Sequence, residues 1–177
     1  MDIDGADWFT GPQRHEAGTP NVVGVAAVAA ACEALTALGD VGQAEDALTA
    51  QLRAGLGGIE GVDTLRIWEG DRDVLGIVSF TVAGYAPSVV AAYLSAEHGI
   101  GLRDGRFCAH PLLASLGAPG GALRASIGLG TTAGDISRLI GAITELVERG
   151  PALTYTERDG QVGPLDDPRP LPDFLAA

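Results

Sequence analysis

Between Val22 and Leu38 the chain reads VVGVAAVAAACEALTAL, with Glu33 as its only charge. A segment with almost no polar positions has no amphipathic face, so the pattern predicts a helix packed on most of its circumference and stopped at Gly39. Cys32 lies on this helix and is expected in the core. From Val41 the pattern changes. Ala44, Leu48, Leu52 and Leu56 recur at spacings of three and four, which predicts an amphipathic helix closed by Gly57 and Gly58. The period then shifts to two. TLRIWEG alternates Leu65 and Ile67 with Arg66 and Trp68, and DVLGIVSFTVAG is rich in β-formers between Asp73 and Gly84. Both predict strands.

Pro87 suits the first turn of a helix whose apolar face holds Val89, Val90, Tyr93 and Leu94, with His98 in its last turn and Gly99 as its stop. IGLRDG predicts a short strand. ALRASIGL predicts another, with Leu123, Ala125 and Ile127 on one face and Arg124 and Ser126 on the other. Thr132 and Asp135 have capping-box spacing with Asp in place of Glu. Behind them Ile136, Leu139, Ile140, Ile143, Leu146 and Val147 form one stripe, ended by Arg149, Gly150 and Pro151. From about Tyr155 the density of Pro, Asp and Gly predicts an exposed tail. The order α-α-β-β-α-β-β-α predicts an α+β unit, a small sheet covered by helices. The first helix fits this unit poorly, because the unit offers it only one surface. Something else is expected to cover the rest.

Composition narrows the function. The chain has 177 residues, 46% of them hydrophobic, which is enough for a sizeable core. A net charge of −12 argues against nucleic-acid or anionic-membrane partners. The most apolar run, Val22 to Leu35, is too short to span a bilayer. Two cysteines and no secretory signal predict a reducing, cytoplasmic setting. No metal-binding spacing is present. All 11 residues counted as Lys or Arg are Arg, so the chain has no Lys.

The stretch GLRDGRFCAHPLL places Cys108 two residues after Arg106 and five after Arg103. Nearby guanidinium groups favour the thiolate, which is the nucleophile. A small residue buried for packing is the plainer explanation, and the residues alone leave both open. Three stretches together carry more weight. RHEAGTPN, GIGLRDGRFCAHPL and LRASIGLGTTAGDISRL resemble, in order and spacing, the C-terminal third of class V aminotransferases, in particular the cysteine desulfurase and selenocysteine lyase branch. The resemblance covers residues 14–149 or so.

That resemblance implies pyridoxal phosphate (PLP) as cofactor, held as a Schiff base by a large-domain Lys and acting as an electron sink. It makes Cys108 the thiolate that takes sulfur from the substrate as a persulfide. Arg124 becomes the residue that binds the substrate α-carboxylate through its fork of donors. Arg103 matches a second family arginine near the cysteine loop, and Arg106 matches none and is expected to face solvent. Gly18 and Thr19 match residues that contact the cofactor phosphate of a neighbouring subunit; an ordinary helix cap with Pro20 in the first turn is the competing reading. His110 stands where many desulfurases carry Gln. His15 and Glu16 receive no role.

The implied fold is the α+β C-terminal small domain of a fold type I PLP-dependent transferase, preceded by a remnant of the large domain. Residues 1–40 are the expected remnant, 41–150 the small domain and 151–177 the exposed tail. Without Lys, the chain alone is not expected to hold PLP as an aldimine. The expected partners are an amino-acid substrate, a large domain or split-enzyme partner carrying the Lys, and a second copy in a homodimer of the complete enzyme. A truncated gene product, a fragment or half of a split enzyme would each fit. So would two other readings: a different class V enzyme, an aminotransferase or epimerase, in which Cys108 is incidental, and a non-catalytic α+β domain.

Overall fold

The computed structural model describes residues 5, 8–16, 18–68 and 75–170. The chain divides into two units, Met1–Asp40 and Val41–Ala177. In the first unit a 3-10 turn, Pro12–His15, precedes helix α1, Val22–Ala37. Asn21 caps α1, its side chain accepting the Gly24 N–H at 2.8 Å. The cap expected around Thr19 therefore falls two residues later, on the side chain best placed to reach a free N–H of the first turn. No residue of α1 is buried, and Val23 is 81% exposed. The helix that asks for cover is exposed, as its poor fit to the α+β unit implied, but Cys32, expected in the core, is exposed too. An all-apolar sequence specifies that a helix needs cover. It does not specify what supplies it, and among the described residues of this unit no second helix or strand packs on α1.

The second unit is built on a four-stranded antiparallel sheet of β1 (Val62–Thr64), β2 (Ile77–Val82), β4 (Ala122–Ser126) and β3 (Arg103–Gly105), in that spatial order. Helices α2 (Val41–Gly57), α3 (Pro87–His98) and α5 (Ala133–Arg149) cover one face. Alternation along the strands sends Val62, Val78, Phe80, Val82, Leu123 and Ala125 toward these helices. They meet Leu52 and Leu56 of α2, Val90, Tyr93 and Leu94 of α3, and Ile136, Leu139, Ile143 and Leu146 of α5 in one continuous core.

Helix α5 starts as its sequence demands. Thr132 Oγ1 accepts the Asp135 N–H at 3.2 Å and Asp135 Oδ2 accepts the Thr132 N–H at 3.0 Å, a reciprocal capping box. Helix α3 opens on Pro87 and closes at Gly99, whose φ of 64° is the left-handed conformation a helix stop needs. The buried Tyr93 hydroxyl donates to the Ala142 carbonyl of α5 at 3.0 Å and lies 2.7 Å from His98 Nε2.

Three expectations are corrected in this unit. The first strand begins earlier than its alternation suggests. Val62 and Thr64 are paired, Leu65 N–H still bonds Ser79 O at 2.8 Å, and the chain then turns away with Ile67 and Trp68 exposed. A short helix, α4 (His110–Ser115), follows the cysteine loop and sits on the far side of the sheet through Leu113. The tail expected from Tyr155 is a hairpin as far as Pro164: β5 (Tyr155–Arg158) and β6 (Gln161–Pro164) pair across Asp159-Gly160 and pack on α3. The Glu97 carboxylate holds it there, accepting from the Ala152 and Leu153 N–H groups at 3.0 and 3.1 Å and from the Tyr155 hydroxyl at 2.8 Å.

Candidate functional site

The face of the sheet turned away from α2, α3 and α5 carries the polar residues of the same strands. In the register Arg103 stands opposite Arg124, and Arg124 opposite Ser79. Two cations at directly paired positions repel, so this pairing works against the sheet unless something neutralises it. Among the described residues neither guanidinium forms a salt bridge. Arg124 Nε is also buried and has no hydrogen-bond partner. A buried donor left unpaired costs about 1–3 kcal/mol. An anion with two oxygens, such as a carboxylate, would remove both penalties at once.

Strand β3 runs directly into the cysteine loop. Gly105 has φ 98°, and a Cβ on Gly121 would come within 2.9 Å of the Gly105 carbonyl, so the two glycines let β3 and the start of β4 touch backbone to backbone. Phe107 and Cys108 then both adopt positive φ, 54° and 58°. For non-glycine residues this is strained and persists only where the surroundings impose it. Three contacts do so. Arg106 Nε donates to the Pro119 carbonyl at 3.1 Å, and the Ala109 N–H donates to the Arg106 carbonyl at 2.8 Å. Phe107 packs on the small apolar cluster of Leu113, Ala118 and Ala122. Its ring also lies under both arginines, 5.7 Å from Arg103 Cζ and 5.4 Å from Arg124 Cζ. Cys108, the next residue, is exposed.

The fold thus brings Arg103, Arg124 and the Cys108 loop together at the β3–β4 end of the sheet. Arg106 is exposed as expected, and it also ties the loop to Pro119. His110 opens α4 and is exposed. Gly18 and Thr19 belong to the first unit and are exposed, with no atom within 4 Å of where a Gly18 Cβ would stand. Sequence reading passed over Phe107. An aromatic beside a cysteine between two arginines was the available signal, but its left-handed backbone and its place under both guanidinium groups exist only once β3 and β4 pair. Among the described residues no group of three or more His, Cys, Asp or Glu is placed to hold a metal ion. No single described helix is long and apolar enough to cross a membrane.

Comparison with known proteins finds relatives of this chain. The aminotransferase class-V family model matches residues 1–139. Cysteine desulfurase CsdA of Escherichia coli is 36% identical over 151 residues, 84% of this chain and 36% of that protein. Cysteine desulfurase of Cronobacter sakazakii is 31% identical over 145 residues, 81% of this chain and 34% of that protein. Among solved structures, the apo cysteine desulfurase of Thermococcus onnurineus superposes with a TM-score of 0.73 at 33% identity, covering 84% of this chain and 36% of that one. The S-sulfonic acid form of E. coli CsdA gives a TM-score of 0.70 at 36% identity. The chain therefore spans about a third of the length of the relatives it matches.

Proposed function

We propose, for a chain that belongs to the aminotransferase class-V family, that it supplies the substrate-carboxylate and sulfur-accepting side of a cysteine desulfurase-like enzyme. The observation that carries this reading is the arginine pair beside the Cys108 loop, with Arg124 Nε buried and unpartnered. Such a pair is stable when it holds a carboxylate, and every amino-acid substrate brings one.

The family uses PLP. The residues present fit two ends of that chemistry and not the third. Arg124 and Arg103 suit the substrate carboxylate, and the open approach at Gly18 beside the Thr19 hydroxyl suits a phosphate. The covalent anchor needs a Lys ε-amine, which this chain does not contain. Catalysis therefore calls for a Lys-bearing part as partner, joined or separate, and for an amino-acid substrate. When bound, the cofactor would act as the electron sink for the carbon fragment. The rest falls to this chain. Arg124 and Arg103 fix the carboxylate and so the direction in which the substrate side chain points. The Cys108 thiolate forms an S–S bond to the substrate sulfur as that sulfur's bond to carbon breaks, leaving a persulfide on Cys108.

The test joins the chain to a Lys-bearing large domain of the family and supplies L-cysteine with a reductant, following sulfide release. Cys108→Ser should abolish release while leaving substrate binding intact. Arg124→Gln should raise KM by roughly tenfold or more, the loss of a charge-assisted pair. Unchanged release in both variants would replace the desulfurase reading with that of another class V enzyme.

A further inference from the structure

We infer that Phe107 is a positioning residue, which holds the two guanidinium groups over one ring and ties their position to that of Cys108. The inference rests on the reading of Arg103 and Arg124 as a carboxylate pair, and deepens it. Three observations converge on Phe107. Its ring lies under both arginines, at 5.7 and 5.4 Å from their Cζ atoms. The face of an aromatic ring attracts a cation, so one ring beneath two like charges offsets part of their repulsion without neutralising either. Both therefore stay available to an anion. An acidic side chain in the same place would fill the site instead. Phe107 also packs on Leu113, Ala118 and Ala122, which anchors the ring to α4 and to the start of β4. Finally, its own backbone has φ 54° and is followed by Cys108 at φ 58°. A bulky residue holds that conformation only under external constraint, and the ring contacts are part of that constraint, beside the hydrogen bonds to the Pro119 and Arg106 carbonyls. A shift of the arginines would move the ring, and a shift of the ring would move the peptide that carries Cys108.

The experiment uses the chain itself and two alkylating probes of nearly equal size. Iodoacetate carries a carboxylate and iodoacetamide does not. In both, the thiolate displaces iodide and a C–S bond replaces the C–I bond. Cys32 is exposed in the other unit and serves as the internal control. Mass spectrometry of the labelled peptides gives the iodoacetate-to-iodoacetamide rate ratio at each cysteine. In the native chain the ratio at Cys108 should exceed that at Cys32 by at least about threefold, because the arginine pair concentrates the anionic probe. Phe107→Leu keeps an apolar contact with Leu113 and should bring the ratio at Cys108 down to the Cys32 value, while Phe107→Tyr should preserve it.

If Arg124→Gln removes the preference and Phe107→Leu does not, the carboxylate reading stands and the role of Phe107 is overturned. If the native chain shows no preference, both fall. A second measurement does not depend on labelling: the Arg103 and Arg124 Nε–H resonances should both move in Phe107→Leu, through loss of the ring current. Unmoved resonances would overturn the stacking, and with it the inference.

Discussion

At the residue scale, the groups that matter are those the fold leaves with unbalanced demands. Arg124 is one, a buried donor without an acceptor. Tyr93 shows the opposite condition. Its hydroxyl donates to Ala142 O, and burial, with the nearby Glu145 and Glu97 carboxylates, pushes its pKa up to about 12 from an ordinary value of 10.0. A phenol whose folded pKa is raised contributes stability that is fully present below the unfolded pKa and is lost as pH rises through the folded one. Urea unfolding should therefore show stability falling between about pH 10 and pH 12. Tyr93→Phe should cost about 1 kcal/mol at pH 7, the net worth of the hydrogen bond, and should lessen that alkaline decline, the remainder belonging to Tyr155, whose phenol pKa is also raised by burial and by its hydrogen bond to Glu97. A decline as steep in the variant as in the native chain would assign it to other groups. The candidate site residues stood out in the sequence for a different reason. Cys108, Arg103 and Arg124 sit in short motifs with matching order and spacing. That Arg103 faces Arg124, and that Phe107 lies beneath both, depends on strand register, which no local pattern in this chain encodes.

Elements show the same division between local and tertiary information. The bounds of helix α5 could be read from the sequence, because its start is a side-chain cap, its stop is Gly150 and its buried face repeats at helical spacing, although Val147, read as part of that stripe, turns out to solvent. Its cap also gives a pH prediction. Hydrogen bonds from Thr132 lower the Asp135 pKa below its ordinary value of 3.8. A carboxylate with a depressed folded pKa contributes stability that is present above the unfolded pKa and is lost as pH falls through the folded one. Unfolding measured from pH 5 downward should lose a contribution below about pH 4, and Asp135→Asn should remove that part of the slope. The hairpin of β5 and β6 was missed although its signal was present. Asp159-Gly160 is a two-residue turn pair, with φ of 53° and 78°, between segments that pair in register. Pro and Gly density around it masked the alternation. Helix packing was not legible either. A Cβ on Gly55 of α2 would overlap Ile140 Cδ1 of α5 and stand 2.7 Å from its Cγ1. Gly55→Ala should therefore lose about 1–3 kcal/mol through overpacking, against roughly 1 kcal/mol gained in helix propensity. Combining it with Ile140→Val, which removes the overlapping methyl, should recover part of the loss. A stabilised single variant would show that the two helices have room to part.

For the whole molecule, the composition describes a chain whose parts want different surroundings. The second unit has its own core, with β2 and β4 at its centre and α2, α3 and α5 on one side. The first unit consists mainly of a helix on which Val22, Val23, Val25 and Val28 are 70, 81, 67 and 65% exposed. Adjacent apolar side chains on that scale are rare on a stable monomer's surface and drive association. The driving force can be bounded. Burying about 600 Å² of apolar surface between two copies, at roughly 25 cal/mol per Å², contributes about 15 kcal/mol, against an association cost of about 4–15 kcal/mol. The difference runs from about 0 to about 11 kcal/mol in favour of association, so self-association is expected and should depend on concentration. The net charge of −12 opposes it by mutual repulsion, and salt screens that repulsion. Sedimentation at tens of micromolar should therefore show a higher mean mass at about 0.5 M salt than at about 0.02 M, the range over which the screening length shrinks several-fold. Val25→Glu combined with Val28→Glu places two charges three residues apart on one side of α1 and should return the chain to a monomer at both ionic strengths. Its effect on the second unit should be nil, so the alkylation ratio at Cys108 serves as a check that the substitutions act only on association. A compact monomer for the native chain at every salt concentration would mean that α1 finds its cover within the chain.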